Sequence, residues 1–321
     1  MVRSLEDTPV RGFHTLTALG IALDGTRALL YQKSFSTLAP EFRSKNAEYR
    51  AAITAVKTAV LAQGVSRVIW VLDRGFDTID LLRFLAAQGQ QFVVQAAHTD
   101  RLVRLHVGTP CMSLEDALHA SARLTTLSVE KAVFDPKTKR QTSLSKVHVH
   151  GTAVHVPGKL PLELTAVRLE AKELEEGWVL LSNLRLPPDD VAARARAALA
   201  QRLVQAYRQR WAIEDVFAWT KQVLCWESVR LMHFAGLRVL VSCAWIVAAF
   251  LFELGASLSD QQLRLVAHLG GWRRQEKHPP GKRVLCWGLE RLAILLMMQE
   301  QRADPQRRHD IDQLLVDLFA P

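Results

Sequence analysis

The order of strand-like and helical segments between residues 13 and 95 is the feature that most constrains the fold of this chain. Two strand-like runs, 13–23 and 26–35, lie on either side of Asp24 and Gly25. This dipeptide accepts the positive φ angles of a tight turn, so the two runs predict an antiparallel hairpin.

Helical and strand-like patterns alternate after the hairpin. Apolar residues recur at helical spacing over 46–63 and stop at Gly64, after which the run SRVIWVLD predicts a buried strand. A helix over 77–88 and a strand over 91–95 are expected next. The order β-β-α-β-α-β predicts an α/β fold in which the hairpin leads into strands that are joined by helices.

The pattern changes twice in the rest of the chain. Short runs rich in Val, Leu and Thr over 100–182 predict a β-rich segment. From Pro187 onward the spacing is helical, and Asp189 is expected to cap a long helix that runs to about Cys225. Further apolar helices are expected near 236–254, 259–269, 285–299 and 306–319.

The charge of the chain favours a polyanionic partner. The formal net charge is +9, and binding to nucleic acid is the simplest use for this excess of Lys and Arg. The four cysteines contain no C-x-x-C pair. Their spacing argues against a zinc site or a disulfide framework and favours a reducing cytoplasm.

Nothing in the sequence predicts export or a membrane partner. The amino-terminal run MVRSLEDTPVRG carries acidic residues and Pro9 before any apolar segment, unlike a signal or transit peptide. The longest apolar run, residues 239–252, is shorter than the roughly 18 to 20 residues that span a bilayer. We therefore expect a buried core helix there and a cytoplasmic protein.

Asp73 is the first candidate for chemistry. It follows a predicted strand, and open α/β sheets bind their ligands at the carboxyl ends of strands. The alternative is structural, since many such strands end in an Asp that caps the next helix. Position alone leaves both interpretations open.

Tyr207, Arg210, Glu214 and Lys221 form a second group of candidates, with the spacing Y-x2-R-x3-E-x6-K. On one continuous α-helix the four side chains lie within an arc of roughly 60°, so a single face would carry a phenol, a guanidinium, a carboxylate and an ammonium. The alternative is a solvated face with Arg-Glu pairing at i,i+4. Aromatic and apolar neighbours favour a buried polar stripe, which needs a partner.

These segments together resemble a known family. The run DRGFD after a strand, followed far downstream by YRQRWAIEDVFAWTKQ, resembles DDE transposases of the insertion-sequence-4 type. The resemblance implies a ribonuclease H-like mixed sheet, interrupted by a β-rich insertion and followed by an α-helical C-terminal part. It divides the chain into the first part of the core, the insertion, the catalytic helix region and the helical C-terminal region, at residues 1–99, 100–182, 183–232 and 233–321.

The resemblance also implies roles for individual residues. Asp73 and Glu214 match the second and third carboxylates of a triad that holds two Mg²⁺ or Mn²⁺ ions for DNA strand cleavage and strand transfer. Tyr207, Arg210 and Lys221 match positions that contact DNA phosphate. The implied partners are double-stranded DNA, as terminal inverted repeats and target, and a second copy of the chain on paired ends.

Two tryptophans are further candidates for DNA contact. Trp178, in GWVLLSNL, matches a tryptophan on which some relatives stack a base that is flipped out of the duplex. Trp211 lies beside Arg210 and is expected to line the same site. Ordinary core packing is the alternative for both residues.

The chain departs from the family at the first catalytic Asp. Relatives have an earlier strand that ends in this residue, whereas only twelve residues precede Phe13 here. Asp7, in a polar stretch, and Asp24, in the hairpin turn, are weak candidates for it. We therefore expect an amino-terminally truncated core that lacks this bridging carboxylate.

Three functions remain open at this point. The leading hypothesis is a transposase catalytic core, incomplete in this chain, and the second is a non-catalytic DNA-binding transposase remnant. The third, a small-molecule α/β enzyme that uses Asp73, lacks a glycine-rich phosphate loop where one is expected. Divalent metal binding distinguishes the first two, because the first predicts two ions and the second predicts weak binding or none.

Overall fold

Two compact units make up the chain in a computed structural model. The structure describes residues 2–3, 9–10, 13–133, 141–159, 161–170, 178–188, 193–224, 234–272 and 282–303. We call Phe35–Ile213 the sheet unit, and Met1–Ser34 with Glu214–Pro321 the helical unit. The predicted division of the chain into four segments stays a prediction.

Strands occur as far as residue 182 of the described chain, and helices alone follow. The strands are β1 (Val2–Arg3), β2 (Pro9–Val10), β3 (His14–Ile21), β4 (Arg27–Phe35), β5 (Ile69–Leu72), β6 (Gln91–Gln95), β7 (Leu102–Val103), β8 (Met112–Ser113), β9 (Arg123–Val133), β10 (Gln141–Val156), β11 (Leu162–Glu170) and β12 (Trp178–Ser182). The helices are α1 (Lys45–Ala62), α2 (Ile79–Ala87), α3 (Leu114–His119), α4 (Ala193–Arg208), α5 (Trp211–Leu224), α6 (Phe234–Ser257), α7 (Asp260–Leu269) and α8 (Lys282–Ala303).

The sheet unit is built on a mixed sheet with the strand order β5-β6-β12-β11-β10-β9. β5 and β6 are parallel, and every later neighbour pairs antiparallel. The predicted β-rich segment therefore extends the same sheet, because its last strand, β12, pairs directly with β6. β5 is the first strand in this order and so an edge strand of the described sheet, and Asp73 directly follows it.

Side-chain alternation packs helices on both faces of the sheet. On β6, Phe92 and Val94 join one buried cluster, which includes Leu82 of α2. Val93, between them, joins a second cluster with Leu203 of α4. Successive strand residues point to opposite faces, so a run buried on both sides yields two cores.

Local signals locate the first predicted elements correctly. The side chain of Ser44 caps α1 by accepting a hydrogen bond from the Ala47 N–H at 3.1 Å, and Gly64 follows the helix with a φ of 76°. In the helical unit, Gly25 turns the β3-β4 hairpin with a φ of 86°. Such positive φ angles favour glycine, so the hairpin and α1 predictions are confirmed.

The described helices of the helical unit pack around aromatic and small residues. Val241, Trp245 and Ala248 of α6 bury against Val216 of α5, and the rings of Phe217 and Trp245 meet edge to face at 5.5 Å between centroids. The predicted helices near 236–254, 259–269 and 285–299 are present as α6, α7 and α8. The one expected at 306–319 lies outside the described residues, as does the predicted cap Asp189.

The prediction of one long helix up to about residue 225 is wrong in its middle. α4 ends at Arg208 and α5 begins at Trp211, and the N–H groups of Gln209 and Arg210 bond to the carbonyls three residues earlier, at 3.1 and 3.0 Å. Bonds of this kind tighten the turn and end regular α-helical geometry. No Gly or Pro marks the break, so periodicity alone did not show it.

The prediction of a buried core helix over 239–252 is also only half right. α6 has one buried side, but Ile246 is 67% and Phe250 58% exposed on the other. By length and composition alone the stretch Phe234–Leu254 could cross a membrane, but this is weak evidence because core helices of soluble proteins pass the same test. When a helix carries apolar residues on every side, its sequence has no hydrophobic periodicity, so the sequence does not show which side is buried.

Candidate active site

Asp73 directly follows β5 at its carboxyl end and is exposed to solvent. Its Oδ1 accepts a hydrogen bond from the Gly75 N–H at 2.9 Å and so caps a 3-10 turn over Arg74–Phe76. Oδ2 takes no part in this cap. The capping role and the ligand-binding role predicted for Asp73 are therefore compatible, because capping uses Oδ1 and a ligand could bind to Oδ2.

Asp77, the second acid of DRGFD, is a residue whose importance the sequence reasoning missed. Its carboxylate is fully buried, lies 2.8 Å from Nη1 of Arg101, and accepts a hydrogen bond from the Ala97 N–H at 2.8 Å. These contacts join the segment after β5 to the segment after β6. The predicted helix over 77–88 begins only at Ile79, with Thr78 in the extended conformation as its N-cap residue.

Tyr207 lies in the last turn of α4, packs against the sheet and is 1% exposed. Its hydroxyl donates a hydrogen bond to Oε1 of Gln95, the last residue of β6, at 2.6 Å. The ring of Trp178 meets its ring edge to face at 5.5 Å between centroids. This pair of contacts anchors the end of α4 to the carboxyl end of β6, beside β5.

The carboxylate of Asp73 acts electrostatically on Tyr207. Burial raises the pKa of Tyr207, Arg210 lowers it, and the carboxylate of Asp73 raises it further. Burial, and then the same carboxylate, also raise the pKa of Tyr49 on α1. The carboxylate of Asp73 is therefore within electrostatic reach of Tyr49 and Tyr207, which lie on helices packed against opposite faces of the sheet.

Arg210 lies between two aromatic rings. Its guanidinium carbon is 5.8 Å from the ring centre of Tyr207 and 5.1 Å from that of Trp211. Trp211 is 50% exposed, whereas Trp178 is half-buried. The sheet unit thus brings four predicted site residues into contact, Trp178, Tyr207, Arg210 and Trp211, and Asp73 acts electrostatically on Tyr207.

Glu214 and Lys221 lie on α5, in its first and last turns. Seven residues are close to two helical turns, so the two side chains share a face of that helix. Glu214 is half-buried and Lys221 is exposed. The predicted single face assumes one continuous α-helix, and that assumption is wrong because α4 ends at Arg208 and α5 begins at Trp211.

Asp24 is engaged in the hairpin turn. Its Oδ1 accepts a hydrogen bond from the Thr26 N–H at 2.9 Å, and this bonding lowers the pKa of Asp24. The other weak candidate for the first carboxylate, Asp7, lies outside the described residues.

The donor set for a metal is partial in the part of the chain that the structure describes. No group of three or more His, Cys, Asp or Glu residues there is arranged to hold an ion. The carboxylate oxygens of Asp73 and Glu214 are the ligand type that Mg²⁺ and Mn²⁺ prefer. The chemistry of these two residues fits such ions.

A comparison with protein families found a match. Residues 43–248, more than half of the chain, match the transposase DDE domain. The chain belongs to this family. No curated protein matched the chain. The DDE transposase match spans both Asp73 and Glu214, and with it the predicted fold class is confirmed as a mixed α/β, ribonuclease H-like fold.

Membership of the transposase DDE family gives the general function of the chain. The family carries out DNA transposition by phosphoryl transfer, binds DNA and generally uses divalent metal ions. The family match does not give the transposase subtype, the roles of single residues or the activity of this chain.

Proposed function

We propose that the chain is the catalytic core of a transposase of the insertion-sequence-4 type. It cleaves DNA strands at the ends of its element and joins them to target DNA. The observation that carries this proposal is the position of Asp73 at the carboxyl end of β5, next to β6, whose last residue, Gln95, accepts a hydrogen bond from Tyr207. A carboxylate can hold metal ions and the guanidinium of Arg210, which lies over the Tyr207 ring, can hold phosphate.

Asp73 and Glu214 would hold Mg²⁺ or Mn²⁺, two ions in the complete enzyme. When bound, such ions polarise the phosphate and activate the attacking oxygen. The cap on Oδ1 of Asp73 fixes the side chain, because the Gly75 N–H orients one oxygen and leaves the other to face a ligand. Asp77 acts as a positioning residue, since its ion pair with Arg101 fixes the segment that carries Asp73.

Arg210 and Lys221 are proposed to bind DNA phosphate, Arg210 as a planar fork and Lys221 as a point charge. Trp211 is proposed to stack against the DNA, a role that its 50% exposure permits. Burial and the bond to Gln95 suit Tyr207 better to positioning the end of α4 than to touching phosphate. Base stacking on Trp178 stays a prediction.

The proposed partners are the terminal inverted repeats of the element, the target DNA and a second copy of the chain on paired ends, in the cytoplasm. The net charge of +9 supports a DNA partner of this kind.

The test is strand cleavage by the full chain on duplexes taken from the DNA that flanks its gene on both sides, with Mg²⁺ or Mn²⁺ present. We expect Glu214→Gln to abolish cleavage while leaving DNA binding intact, because the amide is a poor ligand for the ion. The matched control is Asp215→Asn, at the exposed neighbouring acid. Cleavage by Glu214→Gln at the wild-type rate would remove Glu214 from the site.

A non-catalytic DNA-binding remnant is the second candidate. The partial donor set favours it, since the described residues supply no group of three metal-binding side chains. This alternative predicts that the wild-type chain binds DNA, does not cleave it, and binds Mn²⁺ weakly or not at all.

A further inference from the structure

A pocket of about 200 Å³ lies at the amino end of β5, the end opposite Asp73. α1, the segment that leads into β5 and the turn between α2 and β6 line it, and Arg202 of α4 completes it. None of the predicted site residues lines this pocket.

The pocket is cationic. Lys57, Arg67 and Arg202 line it, and no Asp or Glu is among its lining residues. Both arginines are exposed, and neither forms a salt bridge with any residue that the structure describes. Three positively charged side chains around one pocket, with no acid among its lining residues, attract an anion.

Two side chains that line the pocket, Lys57 and Trp70, are held by hydrogen bonds. Nζ of Lys57 donates hydrogen bonds to the main-chain oxygen and Oε1 of Gln88, at 3.2 and 3.1 Å. An ammonium has three N–H donors, so one remains for a ligand. The Trp70 indole N–H donates to Oε1 of Gln90 at 3.1 Å, which holds the ring in place.

We propose that this pocket binds a phosphate group of the DNA backbone, at a position separate from the catalytic site. The inference rests on the proposed function, because it takes the ligand to be the DNA on which the enzyme acts. The five residue steps from Val68 to Asp73 span about 17 Å of extended chain. This is less than one turn of B-DNA, roughly 34 Å, so one duplex can reach both ends of β5.

The test measures the salt dependence of DNA binding by the full chain. A 30-base-pair duplex of arbitrary sequence is titrated between about 50 and 200 mM NaCl without divalent metal, so that binding is separated from cleavage. The double variant Arg67→Ala with Arg202→Ala is expected to reduce the slope of log K against log salt by about 1 for each phosphate that it no longer binds. Arg194→Ala, at an exposed arginine of α4 outside the pocket, is expected to leave the slope unchanged.

An unchanged slope in the double variant would overturn the pocket inference alone, and so would an equal fall in Arg194→Ala. Failure of the wild-type chain to bind any DNA would contradict the proposed function and this inference together. A second arm follows thermal unfolding with inorganic pyrophosphate. A rise in Tm that is absent from the double variant, combined with an unchanged DNA slope, would assign the pocket to a small phosphate ligand and overturn the DNA assignment.

Discussion

The two ends of β5 differ in how their charged side chains are held. At the carboxyl end, the carboxylate of Asp73 accepts a main-chain hydrogen bond. At the amino end, Arg67 and Arg202 line a pocket and form no salt bridge with any described residue. Asp73 is capped by a main-chain N–H, and Asp77 behind it is buried in an ion pair. Arg67 and Arg202, at the other end, are exposed. Catalysis requires groups held in a fixed geometry, while attraction to a polyanion requires only charge.

The difference between the two ends predicts that substitutions at the carboxyl end affect chemistry and stability, and that substitutions at the amino end affect DNA affinity. The predictions that follow test this separation.

The largest effect is expected from Asp73→Asn on strand cleavage. Loss of a residue that merely orients a metal ligand costs about 10 to 100-fold, so loss of a ligand itself is expected to cost more than about 100-fold. Arg67→Ala should cleave at the wild-type rate once DNA is saturating. Equal losses in both variants, measured as single-turnover rates, would erase the proposed distinction between the two ends.

Asp77→Ala is expected to reduce the free energy of unfolding by about 3–5 kcal/mol, because it leaves the 10% exposed charge of Arg101 without its partner. Urea denaturation measures the change. Asp80→Ala, at an exposed acid in the first turn of α2, serves as the control and should cost no more than about 1 kcal/mol, the contribution of its interaction with the helix dipole. Similar losses of unfolding free energy in the two variants would show that the Asp77–Arg101 ion pair does not stabilise the segments that follow β5 and β6.

Tyr207→Phe is expected to cost about 1–2 kcal/mol, because it removes the hydroxyl that bonds to the buried side chain of Gln95. Thermal or urea unfolding at pH 7 tests this. A neutral result would mean that the bond does not anchor α4 to β6.

The same residue predicts a pH dependence. The pKa of Tyr207 is raised in the folded chain above its ordinary value of 10.0, so the folded state holds the proton more tightly than the unfolded state. This contribution is fully present below pH 10 and is lost as pH rises through the folded pKa. Stability measured above pH 10 should therefore fall less steeply in Tyr207→Phe than in wild type, and parallel curves would contradict the assignment.

The smallest effect on stability is expected at the amino end. Arg202→Ala should leave the free energy of unfolding within about 0.5 kcal/mol of wild type, because the side chain is exposed and in no described ion pair. A loss of about 2 kcal/mol or more, measured by urea denaturation, would give Arg202 a structural role in place of the DNA contact.

The parts of the fold that were predictable from sequence are those that local residues specify. Gly25 and Gly64 mark a turn and a helix end through their positive φ angles. The strand predicted at 91–95 is β6 with the same limits, because a short apolar run bounded by Gly89 has few other solutions. The helix break at Gln209 and Arg210 has no such marker.

The parts of the site that were not predictable depend on partners far away in sequence. Arg101 is 24 residues from Asp77, and Gln95 is 112 residues from Tyr207. Nothing near Tyr207 in sequence indicates that its hydroxyl is bonded inside the protein. The pocket is equally non-local, because Lys57, Arg67 and Arg202 come from three separate segments.

Mn²⁺ binding to the full chain, followed by the electron paramagnetic resonance signal of the free ion, tests the central claim most directly. The account predicts that the wild-type chain binds Mn²⁺, and that Asp73→Asn and Glu214→Gln each weaken this binding while Asp215→Asn does not. Absence of binding to the wild-type chain, or binding that both variants retain unchanged, would contradict the assignment of Asp73 and Glu214 as metal-holding carboxylates.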